Sequence, residues 1–175
     1  MIEALIDLVE DGDPHPSAQR VAARAGVALR TVYHHFEDID ALRATANRLH
    51  FEQHLRMVND VDPSLPLEER ILVVARQRQK LFEAISSMRR SALLDESSTQ
   101  VAQGLRESRD LLRDRVAATF CDVIEERGTA GGALRDALDV ATCWQTWNFL
   151  RSHLGRKPAE ASKVVETLLR SLLGA

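Results

Sequence analysis

The sequence predicts an all-α protein, and its composition supplies two of the three reasons. The 175 residues include only eight glycines and five prolines, which are the residues that turns between strands need most. Tyrosine occurs once and tryptophan twice, although aromatic residues favour strands. The third reason is periodicity, because apolar residues recur at helical spacing and no segment alternates with the period of a strand.

The first third of the chain predicts four helices. Gly12 and Pro14 end the first of them, since both residues break helices. Ser17 is suited to cap the second helix, and Gly26 is suited to end it. The predicted helices cover residues 1–10, 18–25, 30–36 and the segment after Asp38 to about Val58.

A break at residues 59–66 is the best candidate hinge, because it contains Pro63 and Pro66 among acidic and polar residues. Longer helices are predicted after it, over residues 67–90, 96–127, 133–154 and 159–173, with glycine-containing separators at 128–132 and 155–158. We therefore expect a small three-helix domain over residues 1–50, joined to a larger helical domain over residues 51–175.

Charge is distributed unevenly along the chain. The net charge of −3 and the isoelectric point near 6.1 argue against a general nucleic-acid coat protein. Residues 1–16 contain five acids and no base, whereas residues 17–36 contain three arginines and no acid. The acid-free window predicts a local positive face inside an otherwise acidic segment.

Residues 17–36 match a helix-turn-helix pattern. Ala22 is small where two helices would cross, and Gly26 allows the left-handed backbone that a tight turn requires. Apolar residues such as Val21 and Val32 would hold the second helix on the first. The second helix then presents hydrogen-bond donors suited to phosphates and base edges, at Arg30, Thr31, Tyr33 and His34.

The run from Val21 to Phe36, followed by Ala41 and Leu42, resembles the TetR-type (tetracycline-repressor) family. The resemblance covers the predicted first domain, and the remainder has only the expected length and helical character. It implies a homodimeric transcriptional regulator, most often a repressor, that binds a palindromic operator in double-stranded DNA. It also implies a larger domain for dimerisation, which binds a small and largely apolar effector. No cofactor or metal is implied.

The same resemblance assigns roles within the predicted interface with DNA. Ser17 would cap the helix and contact a phosphate, and Tyr33 would place its hydroxyl on a phosphate. His34 occupies the variable position and would read bases together with Arg30. Phe36 would anchor the motif in the core. The predicted DNA-binding residues are Ser17, Arg30, Thr31, Tyr33, His34 and His35.

Two departures from the family pattern concern phosphate contacts. Ile39 stands where a lysine is expected, and Glu37, Asp38 and Asp40 surround it. The family also carries a basic arm before the first helix, whereas this sequence begins inside that helix. Each lost phosphate contact lowers affinity, so we expect weak or strongly salt-sensitive DNA binding, or a longer native start.

Two sets of residues in the larger domain have roles implied by the resemblance, with core packing as the alternative for both. The effector pocket is predicted at Phe82, Met88, Phe120, Cys121, Cys143, Trp144 and Trp147. The final helix carries a broad apolar stripe, and the dimer interface is predicted at Leu150, Val165, Leu168, Leu169 and Leu172.

Catalytic and metal-binding patterns are weak. His50 and His54 lie four residues apart but have no evident third ligand, and Gly131-Gly132 lacks the following Lys and Ser or Thr of a phosphate loop. No nucleophile elbow occurs. We therefore expect no enzyme activity. The alternative to a regulator is a helical module that binds a ligand or a protein and has weakened or lost operator binding.

Location is predicted from what the sequence lacks. No uncharged apolar run approaches the length of a membrane span, and no basic segment precedes an apolar stretch at the start. The two cysteines have no CxxC spacing and suit free thiols. We expect a cytoplasmic protein.

Overall fold

A computed structural model describes residues 1–95 and 97–175, and these residues form helices and turns without a strand. The all-α prediction is confirmed. The helices are α1 (Ile2–Glu10), α2 (Ala18–Ala25), α3 (Leu29–His35), α4 (Ile39–Leu55), α5 (Leu67–Leu93), α6 (Thr99–Thr119), α7 (Cys121–Glu126), α8 (Gly131–Thr142), α9 (Trp144–Asn148) and α10 (Pro158–Leu173). No helix in the described part of the chain is long and apolar enough to cross a membrane.

The helices form two compact units. The first unit contains residues 1–55 and 84–108, and the second contains residues 56–83 and 109–175. The sequence suggested one boundary near residue 50, and the structure differs because the end of α5 and the start of α6 belong to the first unit. A boundary drawn along the sequence cannot include a distant segment that packs back onto the first helices.

The core of the first unit is formed by α1 to α4 and the end of α5. Leu5, Val21, Val32 and Leu42 are at most 1% exposed, and Met88 of α5 packs into the same cluster. Burial of a large aliphatic side chain contributes roughly 1.5–3 kcal/mol, so this cluster fixes the positions of α2 and α3 on α1 and α4.

A polar network surrounds the buried guanidinium of Arg43 in the first unit. The guanidinium of Arg43 donates to Asp95 Oδ1 at 3.2 Å, to Asp40 Oδ1 at 3.2 Å and to the Pro16 carbonyl at 3.1 Å. His15 Nε2 lies 2.7 Å from the same Asp95 oxygen. The network joins the loop before α2, the helix α4 and the turn after α5.

In the second unit, the predicted long helix over 96–127 is interrupted at Phe120, which is fully buried. Arg70 donates to the Thr119 carbonyl at 2.9 Å and to both oxygens of Asp122, at 2.7 and 2.9 Å. The break therefore coincides with a tertiary contact from α5. A second predicted helix, over 133–154, is interrupted at Cys143, whose backbone is extended.

The predicted separator over residues 128–132 is shorter in the structure, because α8 begins at Gly131. Gly128 has a φ of +53° and forms the turn, whereas Gly131 and Gly132 lie inside the first turn of α8. A Cβ atom added to Gly131 would lie 2.5 Å from the Ile124 carbonyl oxygen of α7. The absence of a side chain at Gly131 thus allows the backbones of α7 and α8 to approach closely.

Candidate nucleic-acid interface

Helix α2 begins and ends as the sequence predicts, and α3 begins and ends one residue earlier than predicted. Ser17 Oγ accepts a hydrogen bond from the Arg20 backbone N–H at 3.3 Å, which caps α2. Gly26 ends α2 in the left-handed conformation with φ of +68°, and the N–H of Val27 donates to the Ala22 carbonyl at 3.0 Å. These contacts set the tight turn into α3.

Helix α3 has one buried anchor and an exposed polar face. Val32 is fully buried in the core, whereas Tyr33 is 52% exposed. Thr31 is half-buried, and the remaining predicted contacts on this helix, Arg30, His34 and His35, are exposed. The structure therefore brings the predicted α3 residues onto one short helix, with donors that a partner can reach.

The other arginines of the acid-free window are engaged by acids from the first sixteen residues. Arg20 lies 2.5 Å from Asp13, and Arg24 lies 2.5 Å from Asp11 and 3.8 Å from Asp7. The hydrogen bond that Arg24 donates to Asp11 raises the pKa of Arg24 above its ordinary value. In the described residues Arg30 makes no ion pair, so it is the cation of the motif that is most available to a phosphate.

The start of α4 is also internally satisfied. Asp38 Oδ1 accepts a hydrogen bond from the Ala41 backbone N–H at 2.7 Å. This N–H, in the first turn of α4, is therefore not free to donate to a DNA phosphate. Ile39 is half-buried and packs against the core of the first unit. The position that the family gives to lysine therefore contributes to packing here.

Most of the predicted effector-pocket residues lie in the second unit, and they are packed rather than open. Phe82 and Trp147 have ring centroids 6.3 Å apart, and Trp147 Nε1 donates to Glu83 Oε1 at 3.0 Å. Phe82, Phe120, Trp144 and Trp147 are at most 4% exposed, and Cys121 and Cys143 are half-buried. Met88 instead packs in the core of the first unit, so the structure does not group it with the other six.

The residues predicted at the dimer interface fall into two groups. Leu150, Val165 and Leu169 are at most 5% exposed, and their side chains pack inside the second unit. Leu168 is 38% exposed and Leu172 is half-buried. These two are the members of the predicted set that a partner can reach.

The two histidines of α4 differ in burial, because His50 is buried and His54 is half-buried. His50 is 3% exposed, and its Nε2 lies 3.5 Å from Glu10 Oε1. Burial lowers the pKa of His50, and the neighbouring His54 lowers it further, while Glu10 opposes the shift. No group of three potential metal ligands occurs among residues 1–95 and 97–175.

Sequence reasoning missed several buried arginines, and Arg78 of α5 is the most deeply buried of them. The signal was present, because Arg78 continues the helical spacing of Ile71, Val74 and Ala75 and therefore stands in an apolar stripe. A charged residue at a core position indicates either a buried partner or a binding site. Arg78 is 2% exposed and lines a small space in the second unit.

Comparisons with known proteins extend these observations. No protein-family model and no curated protein matches the sequence. The structure matches the crystal structure of a transcriptional regulator from Rhodococcus sp. Rha1, with a TM-score of 0.76, 19% identity, and coverage of 99% of this chain and 94% of that chain. The chain has the fold of a transcriptional regulator.

A second match identifies this fold by name. It is a protein from Mesorhizobium loti assigned to the TetR family of transcriptional regulators, with a TM-score of 0.65 and 16% identity, covering 99% of this chain and 93% of that chain. The TetR-type resemblance of the first domain thus extends, as a fold, over nearly the whole chain. At these identities the matches establish architecture, and the function has to be argued from the residues of this chain.

Proposed function

We propose that the chain is a DNA-binding transcriptional regulator, acting as a homodimeric repressor that a small effector releases from a palindromic operator. The observation that carries this proposal is the exposed, acid-free face of α3, which presents Arg30, Tyr33, His34 and His35. Side chains of these types donate hydrogen bonds to phosphate oxygens and to base edges in the major groove. The TetR-type fold of the neighbours supports the same assignment.

The charge of the motif predicts weak binding to DNA. Arg20 and Arg24 are engaged by Asp13 and Asp11, and Asp38 satisfies the first turn of α4. Each phosphate contact contributes about 0.9 to the slope of log affinity against log salt. With few free cations, we expect low affinity and a shallow salt slope, in place of the strong salt sensitivity that the sequence left open, because the slope falls with the number of phosphate contacts. Base contacts from α3 would then contribute most of the specificity.

The test is fluorescence anisotropy with the DNA upstream of the gene and with a scrambled duplex. We expect Arg30→Ala and Tyr33→Phe each to weaken specific binding about tenfold, corresponding to about 1.4 kcal/mol. Arg135→Ala is the matched control, because Arg135 is an exposed arginine of the second unit that pairs with Asp114. Equal affinity of wild-type protein for both duplexes, or unchanged binding by both α3 variants, would contradict the proposal.

A second candidate function is a helical module without operator binding, which recognises a ligand or a protein. The paired arginines of α2 favour it, since Asp11 and Asp13 neutralise the charge that DNA would use. The substitution Asp11→Asn separates the two candidates. A regulator should gain DNA affinity when Arg24 is released, whereas a module that does not bind DNA should show no change.

The dimer is proposed to form through the last helix. Leu168 and Leu172 lie on the more exposed side of α10, next to positions that are packed inside the unit. A two-fold dimer places two recognition helices in successive major grooves, about 34–36 Å apart. Leu168→Glu should shift the protein from dimer to monomer in light scattering, while Lys163→Glu, on the exposed face of the same helix, should leave the dimer intact.

A further inference from the structure

The buried guanidinium of Arg78 has few protein partners. Its Nη2 donates to the Leu112 carbonyl at 2.7 Å, and its central carbon lies 5.9 Å from the centroid of the Phe82 ring. Nε and Nη1 are buried and have no hydrogen-bond acceptor in the structure. Arg78 makes no ion pair in residues 1–95 and 97–175, so a full positive charge lies in the second unit without a carboxylate in contact.

Arg70 on the same helix shows how this chain compensates such a charge. Arg70 is 4% exposed, and it donates to both oxygens of Asp122 and to a carbonyl. An unpaired buried ion costs several kcal/mol, even after relaxation. Burial lowers the pKa of Arg78 to about 10, and the positive Arg115 lowers it further, although Asp139 and Cys143 oppose the shift. The environment of Arg78 therefore disfavours its charge.

Arg78 faces a small space whose walls contain no acid. The lining combines valine side chains with the guanidiniums of Arg78 and Arg115, the amides of Asn59 and Gln77, and the hydroxyl of Thr119. The space measures about 10 Å³, which is room for about one water-sized group. Two guanidiniums and two amides therefore line the space, and an anion there would accept hydrogen bonds from the unpartnered Nε and Nη1 of Arg78.

We propose that this space is a binding site for the carboxylate of a small organic acid, held by Arg78 and Arg115. The free N–H groups on Nε and Nη1 of Arg78 would each donate to the ligand, and hydrogen bonds from a cation to a carboxylate are stronger than neutral ones. The valines of the lining would contact the aliphatic part of the acid. Identification of this acid as the effector rests on the proposed regulatory function.

Binding would require the segment between α4 and α5 to move, because the present space is too small for a whole acid. Arg115 donates to the Val58 carbonyl, and its Nε lies 3.7 Å from Asp60 Oδ1. A carboxylate that engages Arg115 competes with both contacts. Residues 58–61 would then leave Arg115, and these residues lie in the segment between α4 and α5.

The direct test observes the arginine side chains by NMR during titration with formate, acetate and propionate. Formamide, acetamide and propionamide are the neutral controls, and the ionic strength is kept constant with chloride. We expect saturable shifts of the Arg78 Nε signal and a rise in melting temperature with the acids, and neither effect with the amides. Absence of both effects with all three acids would overturn the site.

Two variants test the assignment to Arg78. Arg78→Gln removes the charge and should weaken acetate binding about tenfold or more, since a charge-assisted hydrogen bond is lost. Gln77→Glu is nearly isosteric and places a carboxylate within the same space, so it should abolish acetate binding and raise the melting temperature without ligand. Arg135→Gln should bind acetate like the wild type. Unchanged acetate binding by either pocket variant would overturn the assignment.

A separate measurement distinguishes this site from the regulatory function. Operator binding is measured with and without saturating acetate, using DNA that the wild-type protein binds specifically. Loss of DNA affinity with acetate in the wild type, but not in Gln77→Glu, would support the acid as effector. NMR binding without any change in DNA affinity would retain the site and contradict its role as the effector site.

Discussion

The two units of the molecule compensate their buried arginines differently. In the first unit, Arg43 contacts two carboxylates, a histidine and a backbone carbonyl, and it connects three segments of the chain. In the second unit, Arg78 is more deeply buried and has one carbonyl as its hydrogen-bond acceptor. The first arrangement is typical of a structural network, whereas the second is typical of a binding site for an anion.

This difference teaches that burial of a charge does not by itself indicate function. Arg43 and Arg78 are both less than 9% exposed, and what separates them is the balance of acceptors around the guanidinium. A network in which the guanidinium contacts carboxylates stabilises one arrangement of the chain, although Arg43 Nε and Asp95 Oδ2 have no hydrogen-bond partner within it. An unsatisfied cation costs free energy until an anion arrives, and that free energy becomes part of the affinity for the ligand.

The largest expected effect is loss of the network in the first unit. Asp95→Ala removes the acceptor that Arg43 and His15 share, and it leaves the Arg43 charge under-compensated. Removing one partner of a buried ion pair costs about 3 kcal/mol or more, so the free energy of unfolding in urea should fall by that amount. Asp40→Ala should cost much less, because the Asp40 side chain is 40% exposed. Equal losses in the two variants would contradict the view of Asp95 as the centre of the network.

A smaller effect is expected where α7 and α8 approach in the second unit. Gly131→Ala places a Cβ atom against the Ile124 carbonyl oxygen, and because this atom is backbone it cannot move away cheaply. Overpacking of this kind costs about 2 kcal/mol. Gly132→Ala is the matched control, since its Cβ meets nothing within 4 Å and alanine favours a helix. Thermal unfolding should show opposite signs for the two substitutions.

The pH dependence of the first unit should be smaller again. The pKa of His50 is lowered by burial, so the unfolded chain takes up a proton below about pH 6.5 that the folded chain resists. Stability should therefore be present above that pH and fall as the pH decreases, by at most about 1.4 kcal/mol per pH unit. His50→Gln should flatten this slope, which is measured by urea unfolding at several pH values. Stability that rises on acidification would show that the Glu10 contact dominates instead.

Local features of the fold were predictable because nearby residues determine them. Ser17 and Gly26 specify the ends of α2 through their own side-chain and backbone chemistry, and the structure confirms both. Helical periodicity likewise located α1 and α10 almost to the residue. The sequence did not predict the helix breaks at Phe120 and Cys143. The break at Phe120 coincides with a contact from Arg70, which is distant in sequence.

The candidate sites were less predictable, because the partner of a charge is a tertiary property. The sequence showed three arginines without a nearby acid in residues 17–36, but it did not show that Asp11 and Asp13 would fold onto two of them. Arg78 stood visibly in an apolar stripe. Its lack of a carboxylate depends on where the acids of α6 and α8 point, and no local pattern encodes that.

The smallest expected effect gives the sharpest contrast between the two units. Arg78→Met keeps most of the volume and removes an under-compensated charge, so the lost hydrogen bond to Leu112 is offset by the relieved cost of burial. Replacement of buried ionic groups by apolar residues of similar volume is often neutral or stabilising, and we expect a change in unfolding free energy within about 1 kcal/mol. Arg43→Met is the control, because it leaves Asp95 buried without its cation and should destabilise the protein clearly more. If Arg78→Met were as damaging as Arg43→Met, Arg78 would be a structural residue, and the comparison between a closed network and an open site would fail.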